Sequence, residues 1–511
     1  MISSCSRVCS VLRELESNDL NYVHWKSNEH LDKSVTGLTD LDILFDYEHY
    51  EKIVEILLKQ GFKRYNAPCF KQYPFIEDFV YINPEQNTVV HIHAHFKLIV
   101  GETNVKNYHL NWESHIFKNR IYNKEYSIYT ISPEYELLLL IVRVSLKENF
   151  SRKYGIRRFL NSSDEERKNS EREFAWLKER IDFKIFEQLV LKYFDMELAA
   201  EIIQTTECSF FYDNIKIYSK KIREKLKNKR RKGFIASFFI ENSREIRYFS
   251  RKILNKTTFF DIPVKRIIND NEGGIICTIV GVDGAGKTTI SKELCKILSK
   301  KFDVRFVYMG SGKGDSSILR TPLNYLRTRY SQVRRKKGKE IKESYVDKEH
   351  KSIFSLRDLF NIIWAVTLLI ERNTRLNRIR RLKNRGFIVV TDRYPQINTL
   401  EYNDGPLLQK YADTHLFFFK YLAQLEMKIF RKVQFISPNI VIKLSANVDV
   451  IRSRRPEMTS ETIERKIIGL EIQDYGNKDT IVRLIDTSNK SIKDTISLIL
   501  AAFNECINNR K

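Results

Sequence analysis

Gly281 to Thr289 reads GVDGAGKTT, and the chain on either side is arranged around it. Ahead of it runs IICTIV (Ile275 to Val280), a short unbroken apolar stretch of the kind buried on both faces of a parallel sheet. Behind it, ISKELCKILSKKF carries Ile290, Leu294, Ile297 and Leu298 at helical spacing. A glycine turn that joins strand to helix and closes in Gly-Lys-Thr is an arrangement that cradles phosphates. Gly281, Gly284 and Gly286 let backbone amides curl round an oxyanion, and the opening helix turns its positive end toward it. The binding residues read from this loop are Gly281, Asp283, Gly284, Ala285, Gly286, Lys287, Thr288 and Thr289. Lys287 would reach the β and γ phosphates, and Thr288 would place a hydroxyl on Mg2+.

The chain has 511 residues, enough for two or three domains, and 42% hydrophobic with 12% aromatic residues supply packed cores. A net charge of +24 points to anionic partners such as nucleotides, nucleic acid or an acidic membrane surface. A lysine-, isoleucine- and asparagine-heavy composition also follows from an AT-rich genome, so charge alone selects none of them. Seven cysteines, odd in number and without a CxxC pair, fit reduced thiols. The opening MISSCSRVCSVLRELESND lacks the apolar core of a signal peptide, and LFNIIWAVTLLI (Leu359 to Ile370) is too short to span a bilayer. These features predict a soluble, cytoplasmic protein.

Toward the N-terminus, NYVHWKS reads as a strand, and LTDLDILFD carries Asp40 and Asp42 at the head of an apolar run. Residues two apart share a strand face, so the two carboxylates would stand side by side, suited to a divalent metal. TVVHIHAHF places His91, His93 and His95 on one face by the same period, and YEHYEKIVEILLKQGFK reads as an amphipathic helix ending at Gly61.

Gly37 through Asp42, with its flanking strands, resembles the nucleotidyltransferase superfamily to which DNA polymerase beta belongs. The resemblance covers roughly residues 15 to 150. It implies an Asp-x-Asp pair and a third carboxylate on a neighbouring strand, together holding two Mg2+ ions. Asp40 and Asp42 match the first two, and His93 stands where the third acid is expected. Imidazole suits softer metals than carboxylate does. Two readings stand: Asp40, Asp42 and His93 bind a metal for nucleotidyl transfer, or the fold has lost its catalysis and these are polar residues at a sheet edge.

ISPEYELLLLIVRVSLKENF predicts a helix capped by Ser132 with Pro133 in its first turn, and helical patterns continue to about Thr206. From Ile215 to Arg266 basic residues dominate, with Phe234, Phe238, Phe239, Tyr248, Phe259 and Phe260 interleaved. Residues 214–256 read either as a contact for nucleic acid or anionic lipid, or as a solvated connector docked by its aromatics.

Past the loop, VRFVYMGSGKG reads as a second strand, and Arg329 to Lys351 as an exposed insertion. A long helix closed by Gly386 then leads to FIVVTDRYP, a buried-type strand delivering Asp392, Arg393 and Tyr394 at its end, where an open parallel sheet binds ligands. The loop followed by a strand-end Asp-Arg-Tyr resembles the thymidylate kinase family over about residues 272 to 511. VIRSRRPE resembles that family's arginine-bearing lid, and Asp486 to Ser488 its C-terminal end.

This resemblance implies ATP and Mg2+ as cofactors, with Asp392 helping to organise the ion. It implies that Asp283 lies near the acceptor sugar, that Arg393 holds the acceptor phosphate, and that one or two of Arg452, Arg454 and Arg455 neutralise the transferring group. Lys287 completes the catalytic set. Departures are Val280, where the family has Glu, and the lack of a counterpart for the aromatic that stacks on thymine; Leu369, Ile370 and Arg372 lie nearby. The acceptor is accordingly a nucleoside monophosphate or similar phosphorylated small molecule. A homodimer is a further implication of the family.

The expected fold class is α/β. A nucleotidyltransferase-like α+β domain (1–150), a helical extension (151–213) and a basic helical connector (214–271) precede a P-loop domain (272–511) with a parallel sheet flanked by helices. The alternative from another class is a nucleotide-switched binding protein that contacts nucleic acid or an anionic membrane through the connector.

Overall fold

The computed structural model describes residues 6–148, 162–206, 211–257, 260–268, 272–310, 356–397, 405–409, 412 and 417–510. Its contacts divide the chain into two compact units, Met1–Ile267 and Ile268–Lys511. The insertion expected at Arg329 to Lys351 lies outside the described residues, as does Phe259.

Alternation of apolar and polar residues builds the first unit. Its strands are β1 (Tyr22–His24), β2 (Leu41–Phe45), β3 (Lys63–Tyr65), β4 (Ile76–Asn83) and β5 (Thr88–His95), then β6 (Ile99–Val100), β7 (Tyr108–His109), β8 (Ile121–Asn123) and β9 (Ile128–Thr130). Seven form one mixed sheet in the order β3-β4-β5-β2-β1-β9-β8, and β6 pairs with β7. Leu41, Ile43 and Phe45 of β2, with Val90, Ile92 and Ala94 of β5, share a core with helices Ser6–Ser17 and Tyr50–Lys59. The period of two therefore sends Asp42 and His91, His93 and His95 to the other face. Gly61 takes φ +89° after the helix, as a stop there requires.

The helix Pro133–Lys147 starts where expected, with the Ser132 hydroxyl accepting from the Tyr135 amide. Leu137, Leu138 and Leu140 join one core with Phe174, Leu177, Phe186, Ile215, Tyr218 and Ile222. Residues of the expected extension, with Ile215, Tyr218 and Ile222 at the head of the expected connector, thus pack into the core of the first unit. The segment before helix Phe234–Leu254 is pinned by Asn107, whose amide donates to the Lys232 carbonyl at 2.9 Å and to Ser237 at 2.8 Å. That helix buries Ser237, Glu241 and Glu245 and leaves Phe234, Ile235, Phe239, Ile246 and Ile253 exposed. Tyr248 packs on Phe70, whereas Phe239 is exposed.

In the second unit, β10 (Ile275–Gly281), β11 (Val304–Tyr308), β12 (Ile388–Asp392), β13 (Ile440–Ser445) and β14 (Ile481–Asp486) form a parallel sheet in the order β11-β12-β10-β13-β14. Ile276 and Val280 share a core with Leu376, Ile379 and Leu382 of helix Leu356–Asn384 and with Ile463 and Leu470 of helix Ser460–Ile472. Cys277, pointing the other way, lies near Cys295 of helix Lys287–Leu298 and Cys506 of helix Ile492–Asn509. Helices therefore cover both faces, which is why β10 is apolar at nearly every position. No helix among the described residues is long and apolar enough to cross a membrane.

Candidate functional site

The glycine loop leaves the C-terminal end of β10, between strands that run to its two sides, where open parallel sheets place their ligands. Gly284 and Gly286 hold φ of +96° and +90°, a region that favours glycine. A Cβ on Gly281 would fall 2.2 Å from the Leu444 carbonyl oxygen, so no other residue fits there. Gly286 starts helix Lys287–Leu298 without a side-chain cap, leaving the first amides of that helix for a ligand.

Lys287 is buried, and its ammonium donates to the carbonyls of Gly281 and Val282, each at 2.9 Å. Burial pushes it down to about 8; Arg393 adds to the shift, and Asp283 and Asp392 oppose it. Thr288 donates from its hydroxyl to Asp392 Oδ2 at 2.5 Å. Asp392 is buried, and its Oδ1 has no hydrogen-bond partner among the described residues. A hydroxyl beside a half-satisfied carboxylate, next to the glycine loop, is an oxygen donor set that fits Mg2+.

Asp283 gathers the cations. Its Oδ1 lies 2.6 Å from Arg393 and 3.4 Å from Lys287, and its Oδ2 lies 3.1 Å from Lys466. Burial alone would raise this carboxyl, but Lys287, Arg393 and Lys466 together hold it well below the usual range. Arg393 itself sits at φ +73°, an uncommon conformation for a side-chain-bearing residue and one that clusters at functional sites.

A cleft of about 1010 Å³ opens over the loop, and Arg393, Arg454, Arg455, Lys466 and Lys490 also line it. Arg454 donates to the Gly284 carbonyl at 2.9 Å. Arg452 is exposed on the same helix, Val448–Arg454, and is not among the cleft's lining residues. Of the residues noted ahead of the Asp-Arg-Tyr strand, Leu369 is buried, Ile370 is exposed, and Arg372 is buried with its guanidinium 5.4 Å from the Phe430 ring centre. Sequence reading did not find Lys466 or Lys490. Neither sits in a motif, and Lys466 meets Asp283 across 183 residues of chain.

In the first unit, β2 and β5 run parallel with Asp42 opposite His93. His93 Nδ1 lies 2.8 Å from Asp42 Oδ1, and His95 Nε2 lies 3.7 Å from that oxygen. Burial lowers His93 to about 4 and His95 well below its ordinary value, so both rings are neutral at pH 7. Asp40, expected from its spacing to stand beside Asp42, lies on the same face but is not part of this group. His91, buried between two acids, takes its Nδ1 to Asp40 at 2.7 Å and its Nε2 to Asp78 at 2.8 Å.

Asp78, on β4 and also paired with Arg266 at 2.8 Å, is a third carboxylate on this face that sequence reading missed. Its only local signal is an acid in the strand IEDFVYIN, and pairing with β5 is what brings it here. The two-magnesium centre implied for this fold does not fit. The converging group holds two imidazoles and one carboxylate, and the remaining acids are engaged by His91 and Arg266.

A family described as uncharacterised nucleotidyltransferase matches residues 32–189. An Escherichia coli (strain K12) protein described as the uncharacterized ATP-binding protein YghR is 26% identical over 199 residues, covering 38% of this chain and 73% of its own. The ATP-binding protein YghS of the same strain is 25% identical over 204 residues, covering 39% and 81%. Among solved structures, the thymidylate kinase of Candida albicans aligns with 46% of this chain and 93% of its own, at 18% identity and a TM-score of 0.26. That of Ehrlichia chaffeensis aligns with 45% and 98%, at 14% identity and 0.24.

Proposed function

We propose that the second unit transfers the γ-phosphoryl group of ATP, with Mg2+, to a nucleoside monophosphate or a similar phosphorylated small molecule. The observation that carries this reading is the Thr288 hydroxyl set on Asp392 beside the glycine loop, with the other Asp392 oxygen buried and unbonded among the described residues. The ATP-binding descriptions of the Escherichia coli relatives support ATP as the donor.

The loop amides and Lys287 hold the β and γ phosphates, so Lys287 exchanges the Gly281 and Val282 carbonyls for phosphate oxygens. Thr288 and Asp392 would hold Mg2+, which would supply positive charge against the phosphates. Arg393, steadied by Asp283, receives the acceptor phosphate, and Arg454, Arg455 and Lys466 offer positive charge to the group in transit. An acceptor phosphate oxygen bonds to the γ phosphorus as its bond to the β–γ bridging oxygen breaks. ADP leaves and the acceptor becomes a diphosphate.

The test incubates the protein with Mg-ATP and a panel of nucleoside monophosphates and measures ADP and phosphorylated acceptor together. Matched formation of both, falling about 10²–10³-fold in Lys287→Ala, is expected. Turnover unchanged in that variant, or ADP formed without any phosphorylated acceptor, overturns the reading.

The exposed residues Phe234, Ile235, Phe239, Ile246 and Ile253, on a helix that also exposes Arg247 and Lys252, favour a second reading in which nucleotide occupancy governs contact with an anionic membrane. Its expected mark is salt-sensitive co-flotation with anionic vesicles and no phosphorylated product.

A further inference from the structure

We propose that Asp42, His93 and His95 form a site for one transition-metal ion of zinc type, separate from phosphoryl transfer in the other unit. Asp42 and His93 are register partners on adjacent parallel strands, and His95 follows on the same face of β5. The facing atoms are Asp42 Oδ1, His93 Nδ1 and His95 Nε2, spaced 2.8, 3.3 and 3.7 Å apart. A tetrahedral ion with bonds of about 2.0–2.1 Å needs its ligands roughly 3.3 Å from one another. The three atoms therefore already outline one face of such a tetrahedron, and an ion entering it requires shifts of only about half an ångström.

Two imidazoles with one carboxylate suit a borderline ion and disfavour Mg2+, which prefers an all-oxygen octahedron. Access is one-sided. The His95 side chain is fully buried, while those of Asp42 and His93 keep 13% and 18% of their surface in solvent. An ion held there has its fourth position toward the opening, the arrangement of metal sites that act on a ligand. The outer shell is thin, because His95 Nδ1 has no hydrogen-bond partner among the described residues and Trp25 meets the ring edge-on instead. Losing that outer bond weakens metal affinity by about 10–100-fold. Lys26, 3.0 Å from Asp42 Oδ1, is the cation that an arriving ion displaces from this oxygen.

The full chain, stripped with chelator, is titrated with zinc chloride by calorimetry, and bound zinc is counted after gel filtration. One zinc present in the wild type and missing from both Asp42→Asn and His93→Gln is expected, with Lys287→Ala retaining it. Since Cys69 is exposed, the readout is the difference between wild type and variant. Equal zinc in wild type and variants, or zinc displaced by a large excess of MgCl2, overturns the proposal. Should a variant fold poorly, cobalt substitution of the wild type decides. The strong visible absorption of tetrahedral Co2+, unchanged after alkylation of exposed thiols, supports the site, and a weak octahedral spectrum overturns it. Failure of phosphoryl transfer with zinc retained would strike only the kinase reading.

Discussion

Lys287 carries a cation in a place that resists charge. With its ammonium held down to about 8 by burial, the free protein loses the proton as pH rises through 8, while phosphate favours the protonated form. Nucleotide binding above that pH must therefore take up a proton, and affinity for ATP is expected to fall about tenfold per unit. Calorimetry from pH 7 to 10 checks this, and a flat profile contradicts it. Glu136 supplies a stability term of its own. Burial, with Glu173 beside it, pushes this carboxyl from its ordinary value of 4.5 up to about 8. Between those values the native state holds a proton that the unfolded chain has released, so stability falls as pH rises from about 4.5 to about 8. In Glu136→Gln the gap between melting temperatures at pH 5 and pH 8 is expected to narrow.

Elements show where local chemistry decides and where it does not. The Ser132 cap sets the start of the helix around which the core of the first unit gathers, and Ser132→Ala is expected to cost about 1 kcal/mol in urea denaturation. Gly281→Ala drives a methyl into the Leu444 carbonyl between β10 and β13, so lost activity and a lowered melting temperature are expected together. Both features were legible in the sequence because a cap and a glycine turn are written within a few residues. So were β10, β12 and the Asp-x-Asp strand, whose apolar runs or periods repeat over four or more positions. Asp78 and Lys466 were not, because each reaches its partner through strand pairing or helix packing that no short window encodes. Asp40 shares the face of Asp42 as its spacing predicts, but its partner there, His91, was not legible, for the same reason.

At the scale of the whole chain, each unit owns a core, one built on the helix Pro133–Lys147 and the β2 and β5 faces, the other on β10. Fragments 1–267 and 268–511 are therefore expected to fold separately, each with a cooperative melt by circular dichroism. A fragment that stays unfolded alone would show that its core is incomplete. The position of β10 has a mechanical consequence. It is bonded in parallel to β12 over Ile275–Ile279 and to β13 over Cys277–Gly281, so a force drawn along it loads two ladders in shear at once. The glycine loop hangs from a thread anchored on both sides, and under tension the outer strands would peel away before that thread gives.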